Sequence, residues 1–140
     1  MIILSVDLGD SRTGVAVCDK LEMLASPVTV IHERYVPNIL REICRIADEK
    51  KAEQIVVGYP KNMNGSVGER AEKCAAFAKE LAESSGIETV LWDERLTTVS
   101  AHYALNETKT YGKKRKSVID SVAAVMILQS YLEHRKINHE

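Results

Sequence analysis

The most constraining feature of this sequence is a change of apolar pattern near Val36. Before this point, short β-branched runs alternate with turn residues, which is typical of strands joined by tight turns. Beyond it, apolar residues recur at helical spacing, and the helical segments alternate with short strand-like runs. A meander followed by strand–helix–strand units predicts an α/β fold in which the later strands join the sheet in parallel.

The predicted elements are three strands, a helix, a strand, a helix, a strand and two helices. The strands cover residues 2–8, 13–18, 21–31, 53–58 and 87–92, and the helices cover 36–50, 66–85, 98–106 and 117–135. Pro27 pushes the third strand to a sheet edge, because proline cannot donate a ladder hydrogen bond. Ser66 and Glu69 have the spacing of a capping box, and Gly86 ends the second helix. We therefore expect a mixed five-stranded sheet with helices on both faces.

Length and composition are those of one domain over residues 1–140. The chain has 140 residues, 45% of them hydrophobic, which is enough to bury a core. No apolar run approaches the ~20 residues of a membrane span, and the first residues lack the basic leader of a signal peptide. Cys18, Cys44 and Cys74 are widely spaced, without a CxxC pair. We expect buried free thiols, a cytoplasmic location and no membrane partner.

Positive charge is concentrated in the segment KTYGKKRK, predicted as a loop before the last helix. It holds five of the 19 basic residues, although the formal net charge of the chain is −1. The five are Lys109, Lys113, Lys114, Arg115 and Lys116. A basic loop on an otherwise acidic domain offers a contact for an anionic partner such as nucleic acid. A solvated connector is the alternative interpretation.

Acidic residues stand where a sheet with parallel strands places its sites, at the carboxyl ends of strands. Asp7 ends the first strand, Asp93 and Glu94 follow the last, and Asp120 falls in the first turn of the last helix. Three carboxylates at one rim would bind Mg²⁺ or Mn²⁺. Two such ions can stabilise the attacking and leaving oxygens of phosphodiester cleavage.

Plain structural roles compete with this interpretation. Asp7 could accept hydrogen bonds from the turn amides of residues 9–11, and Ser117 with Asp120 matches another capping box. The turn at residues 9–11, with Arg12 beside it, could instead contact a phosphate. The four histidines form no zinc motif and no Ser-His-Asp set.

Four blocks of sequence, taken together and in this order, resemble the YqgF family, which comprises RuvX-like Holliday junction resolvases or pre-16S rRNA nucleases. They are DLGDSRTGVAV from Asp7, VVGYPKNMNGSVGERA from Val56, DERLTTVSA from Asp93 and KSVIDSVAAVMILQSYL from Lys116. The resemblance spans Ile3 to about Leu132. It implies a ribonuclease H-like fold similar to that of RuvC-type nucleases, in agreement with the predicted strand order.

The resemblance implies that Asp7, Glu94 and Asp120 form the acidic, metal-binding triad. Arg12, Arg95 and Thr97 match other polar positions of the family motifs. Two departures stand out. Asp10 adds negative charge beside the site, where the family often has a small or hydroxyl residue. Many ribonuclease H-like nucleases also take a carboxylate from the strand that corresponds to residues 53–58. This strand has no acidic residue at its carboxyl end here. Glu94 must therefore substitute for it, and Asp93 could assist.

The expected function is that of a Mg²⁺-dependent nuclease of structured nucleic acid that processes the 5′ end of pre-16S rRNA. Ribosomal particles are expected as binding partners. The expected nucleic-acid contacts are Arg12, Arg95, Lys113, Lys114, Arg115 and Lys116. A resolvase of four-way DNA junctions and a non-catalytic ribosome-binding factor remain alternatives. The sequence does not separate them, since Phe77 and Trp92 are predicted to lie in the core and no base-stacking set is visible.

Overall fold

The computed structural model describes residues 1–62 and 64–94, the backbone of residues 112–138, and the side chains of 122–137. The strands are β1 (Ile3–Asp7), β2 (Arg12–Cys18), β3 (Ala25–His32), β4 (Gln54–Tyr59) and β5 (Glu88–Asp93). The helices are α1 (Val36–Lys50), α2 (Glu69–Ser85) and α3 (Gly112–Asn138). The predicted helix over residues 98–106 lies outside the described residues. Within the described ranges, no helix is long and apolar enough to cross a membrane.

The five strands form one mixed sheet in the order β3-β2-β1-β4-β5. β2 is antiparallel to both β1 and β3, whereas β4 is parallel to β1 and β5 is parallel to β4. The predicted strand order and directions are confirmed. Pro27 lies on β3 at the sheet edge, as predicted, next to a register shift between Val15 and Ala16 of β2.

Because successive side chains on a strand point to opposite faces, the core divides into two clusters. On one face, α1 and α2 pack on a cluster that includes Val6 and Phe77. On the other, α3 packs on a cluster that includes Val56 and Leu128, with Trp92 partly buried at its border. Helices on both faces are therefore confirmed, and each fully buried side chain of this kind contributes about 1.5–3 kcal/mol.

The carboxyl ends of β1, β4 and β5 lie along one edge of the sheet, which we name the carboxyl rim. Contacts along α3 show that this helix starts near the rim and runs away from it. The Ser5 hydroxyl of β1 donates a 2.7 Å hydrogen bond to the Ala124 carbonyl. Further along α3, Gln129 Oε1 accepts a 3.0 Å hydrogen bond from the amide of Ala25. Ala25 lies at the end of the sheet opposite the carboxyl rim, level with the start of β1.

The predicted starts of β3 and of the last helix are wrong by four residues or more. β3 begins at Ala25 and not at residue 21, because residues 19–24 form a turn in which Glu22 has a φ of 56° and Asp19 accepts a hydrogen bond from the Met23 amide. α3 begins at Gly112 and not at Ser117. The backbone of residues 113–116, predicted as a loop, is therefore helical. Lysine and arginine are good helix formers, so a run of basic residues does not by itself indicate a loop.

The start of α2 also differs from the prediction. Ser66 does not cap the helix, since its hydroxyl donates to Asn64 Oδ1 and accepts from Asn62 Nδ2. The helix begins later, at Glu69, with Gly68 as N-cap. Its end agrees with the prediction, because Gly86 takes the left-handed conformation at φ 71° that glycine tolerates best.

Cys18, Cys44 and Cys74 are free thiols, as expected. Cys18 and Cys74 are buried, whereas Cys44 is only partly so. Burial raises the pKa of all three thiols. Raised pKa values keep them protonated near neutral pH, which makes them poor nucleophiles.

Candidate active site

Asp7 and Glu94 come together at the carboxyl rim. Asp7 is the last residue of β1, and Glu94 directly follows β5. β4 lies between these two strands, and its Val57 pairs in register with Val6 of β1. Gly58 therefore lies beside Asp7, on the strand that separates it from Glu94.

The absence of a side chain at Gly58 leaves the space into which Glu94 turns. A Cβ atom at Gly58 would lie 2.5 Å from Oε1 of Glu94 and 2.8 Å from Cδ1 of Ile127 on α3. Neither separation is tolerated by real atoms, so the carboxylate of Glu94 lies over β4 only because residue 58 is glycine. A carboxylate carried by β5 thus occupies space above β4, the strand that lacks an acid of its own at its end. The sequence contained this glycine, but only the contact between the strands shows its role.

Asp7 faces the same side of the sheet as Glu94. Ser5 contacts α3, and Asp7 lies two residues further along β1, which returns its side chain to the α3 face. The Asp7 side chain is partly exposed at the rim. Both carboxylates are therefore on the side that α3 covers and are accessible from the edge.

Asp120 lies in α3, but its side chain is outside the described part of the structure. Its backbone precedes Ala124 by four residues, which is about one helical turn. Since α3 runs away from the rim, this turn lies on the rim side of the contact between Ser5 and Ala124. The backbone of Asp120 is thus at the same level as Asp7, and its role as a ligand stays a prediction.

The described donors for a metal ion at the rim are the carboxylates of Asp7 and Glu94. Among the side chains that the structure describes, no group of three or more His, Cys, Asp or Glu residues is arranged to hold a metal ion. Two of the three predicted ligands, Asp7 and Glu94, belong to that part, and the third does not. Carboxylate oxygens suit Mg²⁺ or Mn²⁺, and the space over Gly58 holds one of them at the rim. The residues present therefore fit a hard divalent ion.

Cys74 of α2 lies within reach of the charges at the rim. Its pKa is raised to about 11, first by burial and then by the negative charge of Glu94, with a smaller effect from Asp7. Arg70, one turn earlier on α2, counteracts this increase. Its Nη2 also donates a 3.2 Å hydrogen bond to the Leu8 carbonyl, next to Asp7. Arg70 is thus a counter-charge beside the site that sequence reasoning missed, although it belongs to the second family block.

The turn between β1 and β2 places the remaining predicted residues of the amino-terminal block. A Cβ atom at Gly9 would collide with the carbonyl oxygen of Arg12, so glycine permits this tight turn. Arg12 begins β2 at the rim and is partly buried, whereas Asp10 is exposed. The structure therefore places Arg12 at the same edge as the two carboxylates.

The other predicted contacts to nucleic acid are described only in part. Arg95 and Thr97 lie outside the described residues. Lys113, Lys114, Arg115 and Lys116 have a described helical backbone in the first turns of α3, but their side chains lie outside the described part. Because α3 starts near the rim, these four residues precede Asp120 on the rim side of the helix.

The sheet order, the two helical layers and the acids at the carboxyl rim define the ribonuclease H-like fold of RuvC-type nucleases. RuvC of T. thermophilus in complex with a Holliday junction substrate has a TM-score of 0.64 at 12% identity, covering 99% of this chain and 96% of that chain. The Fowlpox virus resolvase in complex with Holliday junction DNA has a TM-score of 0.60 at 16% identity, covering 96% and 99%. At this low identity the likeness shows the fold.

Residues 1–134 match the sequence profile of the RuvX family, described as Holliday junction resolvase, and the chain belongs to that family. A relative from Carboxydothermus hydrogenoformans, named "Putative pre-16S rRNA nuclease", is 44% identical over 138 residues, covering 99% of this chain and 100% of its own. One from Halothermothrix orenii with the same name is 45% identical over 139 residues and covers 99% of both chains. The resemblance to the YqgF family is confirmed, and the protein is a nuclease by family.

Proposed function

We propose that this protein is a Mg²⁺-dependent nuclease that processes the 5′ end of pre-16S rRNA, with Asp7, Glu94 and Asp120 as its acidic triad. The observation that carries the proposal is the carboxylate of Glu94 over Gly58, beside Asp7 at the carboxyl rim. The names of the full-length relatives support precursor ribosomal RNA as the substrate.

The acids have distinct positions from which to act. Asp7 is anchored on β1, the central strand, and would bind metal. Glu94 has its carboxylate over Gly58 and would bind metal or orient the attacking water. The metal, Mg²⁺ with Mn²⁺ as a substitute, would stabilise the attacking and leaving oxygens when bound. Asp120, whose backbone in α3 lies towards the same edge, would be the third ligand.

A phosphate backbone that approaches an acidic site needs counter-charge. Arg12 at the rim and Arg95 next to Glu94 in sequence are the nearer candidates in the family blocks. Lys113, Lys114, Arg115 and Lys116 supply the densest positive charge, in the first turns of α3. These residues would bind RNA phosphates inside precursor ribosomal particles. A cytoplasmic location fits this role and is supported by the three free thiols.

The direct test incubates purified protein with pre-16S rRNA that carries its 5′ extension, with Mg²⁺ or with EDTA. Wild-type protein should shorten the extension only with Mg²⁺, and Asp7→Asn should reduce the rate by at least about 10²-fold. Asp48→Asn makes the same change at an exposed position of α1, at the end opposite the rim, and should leave the rate unchanged. Equal cleavage by wild type and Asp7→Asn would assign the activity to a contaminant and refute the proposal.

Two further arms separate the alternatives. Cleavage of four-way junction DNA in preference to the precursor RNA would leave the triad intact but overturn the RNA substrate. Complementation of a depletion strain with Asp7→Asn distinguishes an enzyme from a binding factor. Full growth and normal 16S rRNA ends in that strain would show that catalysis by this protein is not its cellular role.

A further inference from the structure

A cavity of about 360 Å³ lies next to the carboxyl rim, between the first turn of α1 and the residues of α2 from Arg70 to Glu80. Both helices begin at this edge, because α1 follows β3 and α2 follows β4, and both strands end there. The described residues on its floor are apolar and buried, namely Ile39, Cys74 and Phe77. We name this cavity the α1–α2 groove.

Charged side chains surround the mouth of the groove. The cations among its described residues are Arg34, Arg70 and Lys73, all exposed. Two exposed carboxylates, Asp10 and Glu80, also line it. A site for an anion alone would not need the carboxylates. The cations suit a phosphate, and the carboxylates can accept hydrogen bonds from the amino groups of a base.

The groove meets the proposed active site only at the carboxyl rim, because α1 and α2 pack on the sheet face opposite the one that Asp7 and Glu94 occupy. Leu8 and Gly9 line it, and they directly follow Asp7. Arg70 spans the boundary, because it lines the groove and donates its hydrogen bond to the Leu8 carbonyl. A strand whose scissile phosphate lies at the rim would reach the groove by passing over the turn between β1 and β2, which lines the groove.

The size and lining of the groove favour one unpaired nucleotide as the occupant. Its volume is near the lower limit of small-ligand sites, which suits a single nucleotide. Proteins that recognise unpaired RNA commonly place a splayed base on apolar or aromatic side chains and bind its phosphate with cations. A base inside a continuous duplex cannot enter such a cavity without leaving its stack.

We propose that the α1–α2 groove binds one unpaired nucleotide of the substrate strand near the scissile phosphate, with Arg34 and Lys73 on its phosphate and its base against the exposed apolar side chains of Val36 and Ala76. The inference rests on the proposed nuclease function of the rim and deepens it. It makes the enzyme selective for a cleavage position flanked by single-stranded RNA, such as a 5′ extension.

Binding is measured in the Asp7→Asn background without divalent metal, so that the readout does not depend on cleavage. The probes are a short fluorescent single-stranded RNA and a blunt duplex that contains the same sequence. Arg34→Ala with Lys73→Ala should weaken single-strand binding about tenfold or more and flatten its log–log salt slope by roughly 0.7 for each phosphate that the variant no longer neutralises. Duplex affinity should change much less.

A matched control removes the same two charges from the same region of the fold. Arg41→Ala with Lys79→Ala changes exposed residues of α1 and α2 that do not line the groove, and it should leave single-strand affinity within about twofold. Ala76→Leu, at an exposed lining position, reduces the space without altering charge and should also weaken single-strand binding. Thermal unfolding of each variant verifies that the fold is retained.

The outcomes separate the groove from the nuclease proposal. Equal losses for single strand and duplex, or equal losses in the control pair, would overturn the groove as a nucleotide site and leave the rim proposal standing. Failure of Ala76→Leu to alter binding would likewise contradict it. If the parent protein bound neither RNA, the proposed function would fail and the groove with it.

Discussion

Gly58→Ala tests whether the position of Glu94 matters to the site. The added Cβ atom would lie 2.5 Å from Oε1 of Glu94 and 2.8 Å from Cδ1 of Ile127, so both side chains must move. Overpacking of this kind costs about 1–3 kcal/mol. The lower chain entropy of alanine in the unfolded state returns about 0.4–1 kcal/mol. We expect the free energy of unfolding to fall by about 1–2 kcal/mol.

The loss of activity should exceed this loss of stability. The carboxylate is at the free end of a flexible side chain, so it can leave the space over β4, and a displacement of about 1 Å at a catalytic group can cost 10²-fold in rate. Single-turnover cleavage of pre-16S rRNA at fixed Mg²⁺ measures the rate, and urea unfolding measures stability. Glu94→Gln should be similarly impaired, and combining it with Gly58→Ala should add little, because both act through one carboxylate.

Gly86→Ala is the matched control for stability. Gly86 has a φ of 71° and no atom within 4 Å of an added Cβ, so alanine there is strained by its backbone alone. The cost is about 1–2 kcal/mol, at the end of α2 and away from the rim. This variant should be destabilised like Gly58→Ala and yet cleave normally when folded. Similar cleavage rates for the two variants would refute the role given to Gly58.

Three further predictions concern charge and thiols. Glu22 pairs with Arg135 at 2.7 Å, and this pair holds the pKa of Glu22 below its ordinary 4.5. The pair therefore stabilises the fold above that pH. This stabilisation is lost as the pH falls through the lowered pKa. Glu22→Gln should cost about 1 kcal/mol in urea unfolding at neutral pH and almost nothing once the pH is well below the lowered pKa. Iodoacetamide should alkylate the partly exposed Cys44 before the buried Cys74, as peptide mass spectrometry would show, and equal rates would contradict the described burial. Alanine at each of positions 113–115 should flatten the salt slope of duplex RNA binding by roughly 0.9 for each phosphate left without its cation, with metal affinity unchanged; an unaltered slope would make this segment a solvated connector.

Much of the fold could be predicted because its signals are local. The buried run at β1, the edge position of Pro27 and the stop at Gly86 each follow from a few neighbouring residues. The error at residues 21–24 arose because an apolar composition was taken for a strand, whereas Leu21 is 78% exposed in a turn. Ser66 was misassigned because Asn64 competes for its hydroxyl, which spacing alone does not reveal.

The candidate site was predictable only in its acids. Asp7 and Glu94 follow strands, so their arrival at one rim is a consequence of strand order. Gly58 and Arg70 owe their roles to contacts between separate elements, Gly58 with the residue after β5 and Arg70 with the turn after β1. Such contacts carry no periodic signal in the sequence, and they could not be inferred before the elements were placed together.

The position of α3 late in the chain has a consequence for the order in which the fold is assembled. Asp7 ends β1 and is synthesised before α3, which begins at Gly112. Until that last helix docks, Ser5 lacks the carbonyl of Ala124, and one face of the sheet stays uncovered. With Asp120 as the proposed third ligand, the acidic site would be complete only once α3 has docked on the sheet.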